Sequence, residues 1–151
     1  MPRDRLLLDA MLGKLATYLR MCGYDTEYTL DAGVEADEAV LRMARETGRR
    51  LLTRDVQLAE RAPDAVLVEN KAVERQLREL AAAGFDLDLA DDPARCGVCN
   101  ARLDQVTSEE TTPEYAPDPS ETPVWRCPEC GQHFWKGSHW DDVAATLSEV
   151  T

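Results

Sequence analysis

Short apolar runs that end on a polar residue and pass at once into helical spacing recur along the first 90 residues, and this alternation restricts the possible folds most. Leu6-Leu7-Leu8 ends on Asp9, after which Leu12, Leu15, Ala16, Leu19 and Cys22 recur at steps of three and four. One face of that segment can pack on a sheet while Lys14 and Arg20 point elsewhere. Gly23 stands where a left-handed helix end is expected, and Tyr24-Asp25-Thr26-Glu27-Tyr28 has the content of a short strand. A second helix is predicted over about 36–47, closed by Gly48, with Asp37 and Glu38 in its first turn. Leu51-Leu52-Thr53 reads as a third strand ending at Arg54-Asp55, and a short helix with Val56, Leu58 and Ala59 runs to Pro63. Ala65-Val66-Leu67-Val68 gives a fourth strand, and Val73, Leu77 and Leu80 lie on a fourth helix that ends by Gly84. This order predicts an α/β domain with a mostly parallel sheet and helices on both faces.

Near Asp91-Asp92-Pro93 helical periodicity stops and the cysteines begin, which places a domain boundary between residues 1–90 and 91–151. Cys96-Gly97-Val98-Cys99 and Cys127-Pro128-Glu129-Cys130 are two Cys-x-x-Cys knuckles with 27 residues between them. Asn100 and Gly131 follow the knuckles, and both residue types accept left-handed geometry that turns backbone amides toward sulfur. Four thiolates meet the tetrahedral demand of structural zinc and leave no open coordination position for chemistry. A pair of disulfides or a redox dithiol is the competing reading, and the doubled spacing favours zinc. Cys22, on an apolar helix face, reads as a small core residue. Between the knuckles, residues 107–123 hold four prolines and five acids without a base, the composition of an extended, mobile loop. Ser138, with Asp141 three residues on, is placed to cap a terminal helix whose apolar stripe is Val143, Ala144 and Leu147.

In a parallel sheet the carboxyl ends of the strands share one edge, so Asp9 and Asp55 converge there although 46 positions apart. The first turn of the second helix begins at the same edge and brings Asp37 or Glu38, and Asp31, within reach. Clustered carboxylates repel one another unless a hard cation sits among them, and magnesium or manganese suits oxygen ligands. Such a cluster orients water and offsets charge on a phosphodiester, which is metal-dependent nuclease chemistry. The plainer alternative makes Asp9, Asp37 and Asp55 helix caps or first-turn acids. Lys14 and Arg54 lie near this edge and are candidates to hold substrate phosphate, or else to pair with the acids. Arg49 and Arg50 precede the third strand and read as solvent-facing. Trp125, Phe134, Trp135 and Trp140 flank the second knuckle, where they either stack on bases or form the small core such a module lacks. His133 reads as surface or packing, and His139 as solvent-exposed.

The net charge of −12 argues against a surface that coats nucleic acid generally, so nucleic-acid contact has to be local. Residues 1–90 carry 13 basic and 17 acidic residues and 91–151 carry 4 and 12, so excess acidity lies in the second part. No apolar run approaches the roughly 20 residues that span a bilayer, and three leucines are too few for a signal segment. A cytoplasmic protein with reduced thiols is expected.

Leu8-Asp9-Ala10-Met11-Leu12-Gly13-Lys14-Leu15-Ala16, Leu19-Arg20-Met21-Cys22-Gly23-Tyr24-Asp25-Thr26, Leu51-Leu52-Thr53-Arg54-Asp55, Arg126-Cys127-Pro128-Glu129-Cys130-Gly131 and Trp135-Lys136-Gly137-Ser138-His139-Trp140 together resemble the Mut-seven C-terminal RNase family. The similarity covers nearly the whole chain. It implies a PIN-like three-layer α/β/α nuclease domain fused to a zinc ribbon, with acids that bind divalent metal and hydrolyse RNA. By position Asp9 matches the first PIN aspartate, Asp55 the Thr-x-Asp aspartate, and Asp37 the acid opening the second helix, with Glu38 an adjacent substitute. A fourth acid would fall near Glu69. Two other functions compete: a non-catalytic RNA- or ribosome-associated adaptor in which the ribbon binds, and a phosphatase or phosphotransferase with a haloacid-dehalogenase-like aspartate nucleophile. The latter usually wants a second Asp two residues after the first, where this chain has Met11.

Overall fold

Three consecutive leucines can all be buried only in a strand covered on both faces, and strand β1 (Leu6–Leu8) is such a strand, with each leucine fully buried. The computed structural model describes residues 4–151. β1 pairs in parallel with β2 (Thr26–Tyr28) on one side and β3 (Arg50–Thr53) on the other, and β3 pairs with β4 (Val66–Leu67). The sheet order is therefore β2-β1-β3-β4.

Side-chain alternation divides the core into two layers. Leu6, Leu8 and Leu52 face helices α1 (Gly13–Met21) and α4 (Val73–Ala82), through Leu15, Leu19, Leu77 and Leu80. Leu7 and Leu51, in register on adjacent strands, face α2 (Asp37–Thr47) and α3 (Val56–Arg61) through Val40, Ala44 and Leu58. Burying each leucine side chain is worth about 1.5–3 kcal/mol. The helices end where the residue types require: Gly48, at φ 64°, closes α2 in the left-handed conformation and donates its N–H to Ala44 O.

The second part forms an antiparallel sheet, β5 (Asp104–Gln105), β6 (Trp125–Arg126) and β7 (His133–Phe134), in that spatial order. Asn100 and Gly131 adopt φ 74° and 81°, and their N–H groups return to Cys96 O and Cys127 O. Helix α5 (Ser138–Val150) then packs on α4 and contributes Val143 and Leu147 to the core that holds Leu77 and Leu80. Among the described residues no helix is long and apolar enough to cross a membrane.

Several residues differ from their sequence-based placement. Arg20 does not point away from the fold: its side chain is 3% exposed, donating from Nε to Thr26 O and from Nη1 to Gly97 O and Val98 O. Arg49 is not solvent-facing, because Asp25 Oδ1 accepts from its Nη1 at 2.8 Å and compensates its burial. Arg50 lies within β3 and is partly buried, donating to Asp64 O. Ser138 is the first residue of α5 rather than its cap, and Gly137 takes the cap position without a side-chain hydrogen bond. The Trp135 ring lies so close that a Cβ at Gly137 would fall 2.5 Å from its Nε1. Residues 107–123 form no strand or helix, yet they wind through turns instead of running extended. Thr112 Oγ1 donates to Pro117 O, and Tyr115 OH accepts from His133 N while its ring meets that of His133 edge-on. Tyr115 is thus the anchor that composition did not reveal.

Candidate active site and metal centre

From β1 the chain passes to β2 on one side, then crosses back to β3 on the other, which makes the gap between β1 and β3 the topological switch point. In open α/β sheets ligands usually bind outside the carboxyl ends of the strands at such a gap. Asp9 leaves β1 and Asp55 leaves β3 at this point.

Thr53, the last residue of β3, connects them. Its Oγ1 donates to Asp9 Oδ2 at 2.8 Å and accepts from Asp55 N at 3.0 Å, and the residue is fully buried. Asp9 N also donates to Leu52 O, so both backbone and side chain of Asp9 are held to β3. Asp55 is the N-cap of α3: its Oδ1 accepts from Gln57 N and Leu58 N at 2.9 and 3.2 Å. The capping role therefore accounts for one oxygen of Asp55. It does not account for Asp9, since Leu12 occupies the cap position of α1. Among the described residues, no hydrogen bond reaches Asp9 Oδ1 or Asp55 Oδ2.

The other candidates separate by geometry. Asp37 is the first residue of α2, exposed, with Ala36 as the cap. Glu38 forms a solvent-exposed ion pair with Arg61, whose hydrogen bond and charge hold its carboxyl below the usual range. Asp31 lies 3.6 Å from Arg20 Nη2. Glu69 is exposed and takes part through its backbone, donating from N to Glu79 Oε1 and accepting from Arg54 Nη2. Arg54 Nε is buried without a hydrogen-bond partner, whereas Lys14 is exposed in the first turn of α1. Among the described residues, the cysteines are the one group of three or more His, Cys, Asp or Glu whose ligand atoms lie within 4.8 Å of one another. Asp9, Asp37 and Asp55 are not gathered that tightly. The sequence placed Thr53 at the end of a strand and, through the resemblance, as the threonine of Thr-x-Asp, but not as a hydroxyl bonded to Asp9.

Cys96, Cys99, Cys127 and Cys130 converge, with Sγ separations of 3.6 Å for Cys96–Cys130 and 3.4 Å for Cys99–Cys127. A disulfide needs about 2.05 Å, and tetrahedral sulfurs at about 2.3 Å from one zinc lie about 3.8 Å apart. The donor set fits a four-thiolate metal ion. Burial pushes the Cys96 thiol up to about 12. Burial also raises Cys127, but N–H donation from Cys130 and Glu129 and the neighbouring thiols outweigh it and bring Cys127 down to about 7. Such thiols lose their remaining protons readily only to a cation. His133 is buried beside Tyr115 and His139 is exposed; neither joins the cysteines.

The first knuckle docks on the α/β layer through Asn100, which is 3% exposed. Its side-chain oxygen accepts from Thr26 N at 2.8 Å and its Nδ2 donates to Asp25 Oδ1 at 2.7 Å. Burial raises the Asp25 carboxyl, yet Arg49, Asn100 and Arg95 outweigh it and hold the group below its ordinary value. The model of the Mut7-C RNAse domain matches residues 4–147, from before β1 into α5. The chain belongs to the Mut7-C RNAse domain family. No curated protein sequence and no solved structure matches it. Membership supports a nuclease-type function in general, and the Mut7-C match covers the sheet, the switch point and the four-cysteine group together.

Proposed function

We propose that this Mut7-C protein is a divalent-metal-dependent ribonuclease of the cytoplasm, in which residues 1–90 carry the chemistry and residues 91–151 form a zinc ribbon with its terminal helix. The observation that carries the reading is the Asp9–Thr53–Asp55 chain of hydrogen bonds at the switch point. Asp9, Asp37 and Asp55 would hold magnesium or manganese through carboxylate oxygens, which those hard cations prefer. When bound, such an ion supplies Lewis acidity: it makes water a better nucleophile and offsets charge on the phosphodiester.

This chain's own residues do the positioning. The Thr53 hydroxyl fixes Asp9 Oδ2 and leaves Oδ1 toward other partners, and the α3 amides fix Asp55 Oδ1 in the same way. Buried backbone at the ends of β1 and β3 sets the separation of the two carboxylates, so little reorganisation is needed when substrate arrives. Lys14 and Arg54 would take the substrate phosphate as charged donors. Four cysteine thiolates would hold zinc, closing its coordination and leaving it a structural task.

The test is cleavage of end-labelled RNA with magnesium or manganese, in the wild type and in Asp9→Asn and Asp55→Asn. Asparagine retains the cap on α3, so folding is expected to persist. Loss of metal-dependent cleavage with unchanged melting supports the assignment. Undiminished cleavage in both variants overturns it, and RNA binding without any cleavage makes the protein an adaptor.

A further inference from the structure

Five arginines, Arg5, Arg45, Arg49, Arg50 and Arg61, line one groove of about 690 Å³ between α2 and α3, together with only three acids, Asp4, Glu38 and Asp64. The groove is locally cationic in a chain whose net charge is −12. Nothing in the nuclease reading uses it. Arg45, Arg49 and Arg61 lie at or just beyond the ends of α2 and α3, Arg50 is the first residue of β3 and Arg5 directly precedes β1, while Leu41, Ala44, Leu51, Ala62 and Pro63 supply the apolar lining.

We infer that this groove binds the phosphate backbone of single-stranded RNA, outside the acidic switch point. The inference rests on the nuclease reading for the identity of the polyanion, and on the groove's own chemistry for its place. Glu38 lines one end of the groove and adjoins Asp37 in the first turn of α2. Gly48, Arg49 and Arg50 line the other end, beyond a helix of 11 residues, about 16 Å at ~1.5 Å per residue. A strand leaving the carboxyl edge of the sheet can therefore follow α2 toward Arg45, Arg49 and Arg50, with Arg61 facing it from α3.

The partners of the outer arginines are exchangeable, whereas Arg49 is held by Asp25 and forms the fixed floor of the groove. Arg61 pairs with Glu38 and Arg50 with Asp4 where both members are partly open to solvent, and such pairs are weak. Phosphate offers the same planar fork a stronger, doubly hydrogen-bonded acceptor. Arg49 contributes a further signal: its side chain is 7% exposed, it lines the groove, and its buried Nε has no hydrogen-bond partner. The apolar lining suits the faces of unpaired bases, which pack on aliphatic stems and guanidinium planes.

The probe is a short fluorescein-labelled oligouridylate, bound by full-length, zinc-loaded protein carrying Asp9→Asn so that it stays intact. Adding Arg45→Gln and Arg61→Gln, both at exposed positions, is expected to weaken binding roughly tenfold and to flatten log Kd against log salt by about 0.7 for each phosphate that is no longer neutralised. Arg45→Lys and Arg61→Lys should retain most of the salt dependence. Unchanged affinity and slope in the glutamine variant, with its melting curve preserved, overturn the groove. So does equally tight, equally Arg45-dependent binding of polyglutamate, which would mark a surface for acidic proteins. Cleavage separates the two readings. If wild type cuts RNA while the glutamine variant binds it normally, the nuclease stands and the groove falls. If the glutamine variant loses binding but wild type never cuts, the groove stands and the nuclease falls.

Discussion

Arg20 Nη1 donates to the carbonyl oxygen of Gly97 at 3.0 Å, across 77 positions of sequence, and thereby fastens helix α1 to the loop between two of the clustered cysteines. The same guanidinium donates to Val98 O and Thr26 O, so a knuckle carbonyl and the first residue of β2 share one buried donor. Two parts of the chain with different composition become one packed unit through this residue and Asn100.

Replacing Arg20 by leucine should therefore do more than remove a charge. Val98 O and Thr26 O would lose the guanidinium and Gly97 O would keep only Thr17 Oγ1 at 3.4 Å, at a cost of about 2–4 kcal/mol. For a chain of 151 residues that corresponds to a fall in Tm of roughly 4–16 °C. Thermal unfolding of the zinc-loaded protein reads the first effect. A chelator competition should show faster zinc loss as well, and normal zinc retention would mean that the knuckle does not depend on its docking.

Thr53→Val keeps the shape of a buried β-branched residue while removing the hydroxyl between Asp9 and Asp55. A misplaced Asp9 carboxylate is expected to lower kcat about tenfold or more, equivalent to ~1.4 kcal/mol of transition-state stabilisation. Thr53→Ser should restore most of the rate. Stability serves as the control, since both variants should melt within a few degrees of wild type.

Asp25 ties pH to the joint between the sheet and the first knuckle. Its folded pKa is depressed through Arg49, Asn100 and Arg95 against the opposing effect of burial. The stabilisation is thus fully present above the unfolded carboxylate value of about 3.9 and is lost as pH falls through the lower folded value. Urea unfolding at a series of pH values below 5 should show this loss, and Asp25→Asn should be less stable at neutral pH yet fall less steeply in acid.

Zinc binding should release protons. With Cys96 near 12 and Cys99 also raised, these two thiols are protonated at neutral pH in the metal-free protein. Uptake then displaces their protons, and apparent affinity weakens as pH is lowered. Competition against a chromophoric chelator at pH 6 and pH 8 measures it. Stripping the metal should also release the first knuckle from Arg20, visible as faster amide exchange at residues 96–100 and at Thr26.

The alternation of strands and helices in residues 4–84, the two-sided burial of Leu6-Leu7-Leu8, the left-handed turns at Asn100 and Gly131 and the convergence of four cysteines were all legible in the sequence. Each depends on local spacing or on a residue's own backbone preference, which neighbours along the chain set. The burial of Arg20 and Arg49, the anchoring of residues 107–123 by Tyr115, the cap at Gly137 and the bridging hydroxyl of Thr53 were decided only by tertiary structure. A lone arginine reads as solvated because burying its charge unpaired is prohibitive, and its compensating carbonyls or carboxylates lie 24 or 77 positions away. Strand order sets Asp9 and Asp55 at the ends of neighbouring strands, as the parallel sheet predicts, while the Thr53 hydroxyl that ties the first to the backbone of the second is a contact no spacing encodes.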